Sequence, residues 1–522
     1  MTQFFSKMRD VALLLTFVPF IAVVIALDRR LRLPWGWLLE LSLPRTMEDL
    51  LARPEQILDC MKRAGSAPPN AVFVSFNAGG GSETEPGKDK STVKGIIKFR
   101  FVDSVQGQSN GTSLVSRSVF IKIPTGRGVS AFFRAIAATF VPVQKEIAFY
   151  QRIVPALKRT IVASPLPLTS SSQQQLAVVV NDAGVESSMP LNVPLCLYAG
   201  RNRWLDRTLL IFEEIDTREL VPIPDWKGVT TNQLFSQLQN ASVLHALSWN
   251  ICNAVPLTPN KPSTSSATAS VSPLAEAISF IKDRNGIKWL VGVMDLVQHK
   301  LTPAERSIWN ALIQVFSTSL YKDVPMCLSH ADCRPGNMLY RKGSETAAAP
   351  LKSNCVVTDW EAVAVTPYLW DCAYAMVLGL DTKKRRSEQR DIVASYLKLL
   401  SDQQQSQPVA GGTAVRQIPS VDEAMSLLPW VYLLVQYYAW ILDQIGGVGD
   451  EQGNSSNDMK VWRQRVREML RLDVFGATEK DEDDHGTVLR HDAPVVAALL
   501  KMPGVTAQHF IEYQRKVLKE LE

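Results

Sequence analysis

The chain has 522 residues, is 46% apolar, and carries 56 basic against 51 acidic side chains, a net charge of +5. That length and apolar content can bury a large core as one two-lobed unit with extensions, while the charge is too mild, and lacks the basic stripe with interleaved aromatics, to argue for a nucleic-acid partner. Seven cysteines, at 60, 196, 252, 327, 333, 355 and 372, are scattered, odd in number and without a C-x-x-C pair. That pattern argues against both a disulfide framework and a zinc site, and it suits a reducing compartment.

Near the N-terminus, Val11 to Leu27 is an uncharged run of 17 residues, reaching roughly 26 Å as a helix, close to the short limit for a bilayer. Arg29, Arg30, Arg32, Trp35 and Trp37 follow, basic and interfacial residues at the downstream edge, with Lys7 and Arg9 upstream. The expectation is an uncleaved membrane anchor with the large C-terminal part in the cytosol. A cleaved signal peptide ending near Val24-Ile25-Ala26 and a buried or interfacial helix are the competing readings. Sequons at Asn110, Asn240 and Asn454 matter only for a luminal chain, and Asn240 falls inside a helical pattern.

Residues 46–65 are predicted to be helical, and 71–76, 94–103 and 116–123 to be strands of a small antiparallel sheet. Between the first two strands, Gly79, Gly80 and Gly81 could bring backbone N–H groups to phosphates, or belong to a polar surface insertion running on through 83–92. A strand lysine, Lys122, is costly to bury without an anion, and the carboxylate of Glu146 in the following helical pattern can hold it while it meets ATP phosphates. After a variable stretch at 159–190, Pro194–Ala199 and Leu209–Ile215 complete the sheet.

Apolar spacing predicts helices over 232–252, 273–299, 303–322, 388–401, 421–445 and 457–472, separated by Pro/Ser/Thr-rich, Gln/Gly-rich, Gly-rich and acidic loops. Between the third and fourth lies His330-Ala331-Asp332-Cys333-Arg334-Pro335-Gly336-Asn337, and 22 residues beyond Asn337 the apolar run Cys355–Thr358 ends in Asp359-Trp360-Glu361. An aspartate with an asparagine five positions on lets a short loop present a hydroxyl-orienting carboxylate and a metal-binding amide, and a second aspartate supplies the anionic oxygen Mg²⁺ requires. Cys333 inside this loop is expected to pack rather than to act as a nucleophile. The cluster Trp430, Tyr432, Tyr437, Tyr438 and Trp440 fits a helix core, with substrate contact as the alternative.

These segments resemble, in order over about residues 70–380, the aminoglycoside phosphotransferase and choline kinase-like superfamily and within it the ecdysteroid kinase-like branch. Ser118–Ile123 resembles the small-lobe strand with its phosphate-binding lysine; Gln144–Tyr150 is similar to the helix with a Glu-x-x-Phe-Tyr signature; Leu209–Ile215 looks like the strand entering the adenine hinge. Val243–Trp249 is similar to the Leu-His-Ala-x-x-Trp helix, and Pro367–Ala373, with Asp371, resembles the Asp-x-Ala segment that supports the catalytic loop.

The resemblance implies an α+β, two-lobed protein kinase-like fold, a small antiparallel β-sheet N-lobe and a mainly helical C-lobe, to which the 11–27 run adds an N-terminal transmembrane or anchor helix. The expected domains are 1–45 (membrane anchor and juxtamembrane segment), 46–220 (N-lobe through hinge) and 221–522 (helical C-lobe). It implies transfer of the γ-phosphoryl group of ATP to a hydroxyl of a small molecule. Asp332 would accept or orient the hydroxyl proton, with His330 bracing the loop, and Lys122, fixed by Glu146, would neutralise charge on the α/β-phosphates. Glu213, Ile215 and Gly79–Gly81 would contact the nucleotide, and Asn337 and Asp359 would bind Mg²⁺. Ala331 stands where the family usually has glycine, a change expected to be harmless where φ is negative. A catalytically weak or inactive scaffold of the same fold normally loses the lysine or an acidic residue, and this chain keeps them. A protein kinase would carry Asp-Phe-Gly and Ala-Pro-Glu signatures, which are absent.

Overall fold

The structure, a computed structural model, describes residues 43–44, 47–78, 92–102, 112–123, 143–163, 191–202, 207–225, 227–254, 273–282, 291, 294, 298–316, 324–346, 354–405, 417–446, 457–476, 490 and 492–521. The anchor run 11–27 and the glycines Gly79–Gly81 lie outside the described residues, as do Asn110 and Asn454. Among the described residues no helix is long and apolar enough to cross a membrane. The chain divides into two compact units, Met1–Tyr150 with Pro194–Ile215, and Gln151–Val193 with Asp216–Glu522.

In the first unit the predicted helix over 46–65 is two helices, α1 (Met47–Ala52) and α2 (Glu55–Arg63). Pro54 separates them, since proline lacks the N–H a helix interior needs. The strands β1 (Val72–Ala78), β2 (Thr92–Val102), β3 (Thr112–Lys122), β4 (Cys196–Asn202) and β5 (Arg207–Glu213) form an antiparallel sheet in the order β1-β2-β3-β5-β4. Period-two alternation puts Ile97, Phe99, Val119, Ile121 and Ile211 on one face, where they form one core with Leu50, Ile57, Leu58 and Met61 of α1 and α2. Lys122 and Phe120 alternate with that set and so stand on the opposite face. The short helix α3 (Val143–Ala148), bearing Glu146, packs near β4.

The second unit is mainly helical: α4 (Val154–Ala163), α5 (Thr231–Ala254), α6 (Pro273–Lys282), α7 (Pro303–Val315), α8 (Trp370–Gly379), α9 (Thr382–Gln405), α10 (Val421–Gly446), α11 (Asn457–Met469), α12 (Pro494–Leu499) and α13 (Ala507–Leu521). Two small antiparallel sheets are set among them. One joins β6 (Leu220–Pro222), β8 (Met338–Arg341) and β9 (Cys355–Val357), the other β7 (Met326–Ser329) and β10 (Ala364–Pro367).

Sheets this small leave backbone groups unpaired at their edges, and a buried unpaired amide or carbonyl is costly. Helix α5 supplies the partners from a buried polar stripe. Asn253 accepts from the Met326 amide (2.9 Å) and donates to its carbonyl (3.0 Å), and Ser248 Oγ accepts from Leu328 N (2.9 Å). Asn240 Nδ2 donates to the Cys355 carbonyl (3.2 Å), and Gln237 Nε2 donates to that of Cys333 (2.8 Å) while its Oε1 accepts from Tyr340 OH (2.9 Å). Asn240 is fully buried in this role, which leaves no room for a glycan.

The aromatic cluster on α10 divides. Tyr432 lies under the Arg385 guanidinium (5.4 Å to the ring), Tyr437 packs on Trp309 (4.8 Å between centroids) and Trp430 on Phe316 (6.4 Å), all core contacts. Tyr438 instead packs on Trp370 and Tyr374 of α8, at 5.7 and 5.9 Å.

Candidate active site

In the first unit β3 ends on Lys122, whose Nζ donates to Glu146 Oε2 at 2.9 Å, with side-chain exposures of 19% and 2%. Glu213 closes β5; its amide donates to Leu195 O (2.9 Å), and the next amide, of Glu214, to Ser118 O (3.0 Å). Ile215, half-buried, ends this segment and the unit.

In the second unit the buried strand β7 delivers the chain to His330. Two successive amides, of His330 and Ala331, donate to Asp371 Oδ2 and Oδ1, both at 2.8 Å. Asp371 sits in the first turn of α8, fully buried, and its Oδ2 also accepts from His245 Nε2 at 3.1 Å. His245 is held in turn by Tyr396 OH at its Nδ1 (2.6 Å). Burial by itself raises the Asp371 carboxyl; the bond and pull of His245, then His330 and the Ala331 amide, outweigh it and hold the group below the ordinary carboxylate value.

Ala331, the second donor, has φ 67°, so the condition under which alanine was expected to be harmless is not met. An L-residue there costs about 1–2 kcal/mol. Trp370 Nε1 donates to the Ala331 carbonyl at 3.1 Å and pins the turn.

His330 is engaged at both nitrogens. Nδ1 accepts from the Asp332 amide (3.2 Å), so the proton is on Nε2, which donates to Thr358 O (2.8 Å). Both ring nitrogens are thus committed to backbone. Thr358 returns the tie, its N and Oγ1 donating to Asn337 O at 3.0 and 2.7 Å. The loop and the end of β9 are thereby stitched together.

Asp332 and Asn337 meet as their spacing predicts. Asn337 Nδ2 donates to Asp332 Oδ2 (2.7 Å) and to its carbonyl (3.1 Å). That orientation uses the amide's nitrogen and leaves its carbonyl oxygen, the atom a hard cation prefers. Asp332 Oδ1 is buried with no donor at hydrogen-bond distance, and the protonated Tyr374 phenol is the neighbouring hydroxyl that faces this carboxylate. A carboxylate oxygen in that condition is ready for a donor.

Asp359 follows β9 in the left-handed region, φ 59°, which aspartate tolerates better than most residues. Two residues later Glu361 brings a carboxylate oxygen within 4.8 Å of one from Asp359. Asn337, Asp359 and Glu361 are oxygen donors of the kind Mg²⁺ takes, so the donor set fits that ion. Burial first, and then the carboxylates of Asp332, Asp359 and Glu361, push the Tyr438 phenol well above its usual value; burial and Asp332 do the same to Tyr374. Both hydroxyls therefore stay protonated beside the loop. Burial likewise pushes the Cys333 thiol far up, which removes it as a nucleophile. All seven cysteines are unpaired.

Sequence reasoning missed Glu361, Tyr374 and the pairing of Asp225 with Arg334 at 2.7 Å. Glu361 was signalled by its place in Asp359-Trp360-Glu361. Asp225 lies more than a hundred residues before the loop and carried no local signal.

Two substitutions test this geometry. Asp371→Asn removes an anion with a depressed pKa, so the stability it supplies is present above the unfolded aspartate value and lost as pH falls through the lower folded one. Chemical denaturation should show a loss of about 3 kcal/mol near neutral pH, shrinking below about pH 4; a pH-independent difference would contradict the assignment. Ala331→Gly should raise stability by about 1 kcal/mol, the relief of the left-handed turn less the added chain entropy. A destabilised glycine variant would mean that the turn is not strained.

The ecdysteroid kinase-like family model matches residues 103–407, more than half of the chain. No curated protein matches. Solved structures similar to the chain include a microcompartment-associated aminopropanol kinase (12% identity, 80% of this chain and 96% of that one covered, TM-score 0.32). A choline kinase from Streptococcus pneumoniae (11%, 79% and 98%, TM-score 0.30) and the GDP complex of an aminoglycoside 2'-phosphotransferase (11%, 78% and 98%, TM-score 0.36) are also among them. On the extent of the family match, the chain belongs to the ecdysteroid kinase-like family.

Proposed function

We propose that the protein transfers the γ-phosphoryl group of ATP to a hydroxyl group of a small molecule, with Mg²⁺. The observation that carries this reading is the Asp332–Asn337 pair, in which one carboxylate oxygen is held at 2.7 Å and the other is buried and unpartnered. Membership of a kinase-like family supports the same reaction class. In this reading Oδ1 of Asp332 orients the acceptor hydroxyl and takes its proton as the oxygen attacks the γ-phosphorus and ADP leaves. Asn337, Asp359 and Glu361 hold Mg²⁺, which when bound neutralises phosphate charge. Lys122, kept extended by Glu146, contributes positive charge to the α/β-phosphates, and Glu213 and Ile215 belong to the adenine-binding segment. Catalysis is then positioning and electrostatics, with no covalent intermediate.

Incubating the full chain with Mg²⁺-ATP and a metabolite extract, then searching for new phosphorylated species by mass spectrometry, identifies the acceptor. With that acceptor, Asp332→Asn should lower turnover by about 10² or more while nucleotide affinity is retained. Asp359→Asn should weaken Mg²⁺-dependent nucleotide binding as well. Parent-like turnover in both variants would refute the site.

The uncharged run at 11–27 and the arginines after it support membrane attachment with the catalytic part facing the cytosol. Protease treatment of intact vesicles should digest that part. Full protection, with glycans at Asn110 or Asn454, would reverse the orientation.

A further inference from the structure

The strip of chain between β6 and α5 is absent from the reading above, yet it grips the catalytic loop. Asp225 Oδ2 accepts from Arg334 Nη1 at 2.7 Å, and its Oδ1 accepts from the Gly336 amide at 2.6 Å. Gly336 lets this approach be close: an added Cβ would lie 3.1 Å from Asp225 Oδ1 and 3.2 Å from Arg334 Nη1, so both side chains would have to give by a few tenths of an ångström. Asp225 is itself fixed. Its carbonyl accepts from Arg465 Nη1 at 2.9 Å, and the same buried arginine donates to the Leu378 carbonyl near the end of α8. Three residues on, the Gly228 amide returns to the Asp225 carbonyl at 3.3 Å, and the Val229 amide donates to Gly379 O at 2.7 Å.

Arg334 also stands beside Asp332, its Nε 3.5 Å from Oδ2. A guanidinium free to move would take a carboxylate by both oxygens, the geometry its fork favours. With Nη1 committed to Asp225, Arg334 reaches only Oδ2, which already accepts from Asn337, and Oδ1 stays open. We infer that Asp225 is a positioning residue for phosphoryl transfer: by holding Arg334 and the Gly336 amide, it keeps the guanidinium off the Asp332 oxygen that receives the acceptor's proton. The inference rests on the role given to Asp332 under the proposed function.

The test uses the full chain with Mg²⁺-ATP and water as acceptor, following ADP release, with a fluorescent ATP analogue for affinity and thermal melting for integrity. Asp225→Asn keeps an acceptor for the Gly336 amide but loses the ion pair, so kcat should fall by about 10²-fold, the cost of a misplaced catalytic group, with KM for Mg²⁺-ATP nearly unchanged. Asp225→Glu, which retains the charge, should recover part of the loss. The decisive variant is the double substitution Asp225→Asn with Arg334→Gln. Removing the released guanidinium should make it faster than Asp225→Asn alone, whereas a purely structural role for Asp225 makes it no faster. A parent-like kcat in Asp225→Asn, a rise in KM that accounts for the loss, or a double variant no faster than the single one overturns the inference. A parent that neither binds nor hydrolyses Mg²⁺-ATP overturns the phosphotransfer reading, and this inference with it; an active parent with an unaffected Asp225→Asn rejects Asp225 alone.

Discussion

One buried carboxylate, Asp371, sets the geometry on which the candidate site depends. A lone anion with no exposure would be untenable in a protein interior, and it is held here by two backbone amides and an imidazole. The two consecutive amides reach the carboxylate through the conformation of His330, which lies between them, and Ala331, the next residue, is left-handed where the chain passes from β7 to Asp332.

Around that anchor the second unit shows how short strands are kept in place without a large sheet. Strands β7, β8 and β9 have three or four residues each, too few for ladder bonds alone to fix them. Helix α5 runs beside them with Gln237, Asn240, His245, Ser248 and Asn253 turned inward, each bonded to strand, loop or Asp371. A helix with a polar stripe usually faces water; here the stripe faces backbone. Fully satisfied networks of this kind specify one arrangement and penalise every other.

The division of labour between the two oxygens of Asp332 follows from the same economy of donors. Asn337 takes Oδ2, Arg334 leans on the same oxygen, and Asp225 holds Arg334 there. A symmetric carboxylate becomes an asymmetric one, with one bonded oxygen and one open. In the first unit Lys122 and Glu146 show the complementary arrangement, a cation at a strand end held by a carboxylate of 2% exposure.

The sequence by itself determined what depends on local spacing. The alternation in β2 and β3, the helical pattern of α5, the meeting of Asp332 with Asn337 five residues later, and the pairing of a strand lysine with the carboxylate of the next helix were legible because neighbours along the chain, or a single strand and helix, carry them. Pro54 splitting the first helix was legible in principle from its missing N–H. The left-handed turn at Ala331 was not, since the groups that hold it, Asp371 at its amide and Trp370 at its carbonyl, lie 40 and 39 residues away. Nor could periodicity separate Tyr438 from its neighbours on α10: all are apolar at helical spacing, and only packing against α8 distinguishes the one beside Asp332 from those in the core. Asp225 is the extreme case, tied to Gly336 across 111 residues by contacts that exist only once α5 and the loop are in place. Tertiary structure decided these because a charge or a donor is satisfied by whatever lies nearest in space, and sequence distance does not enter that energy.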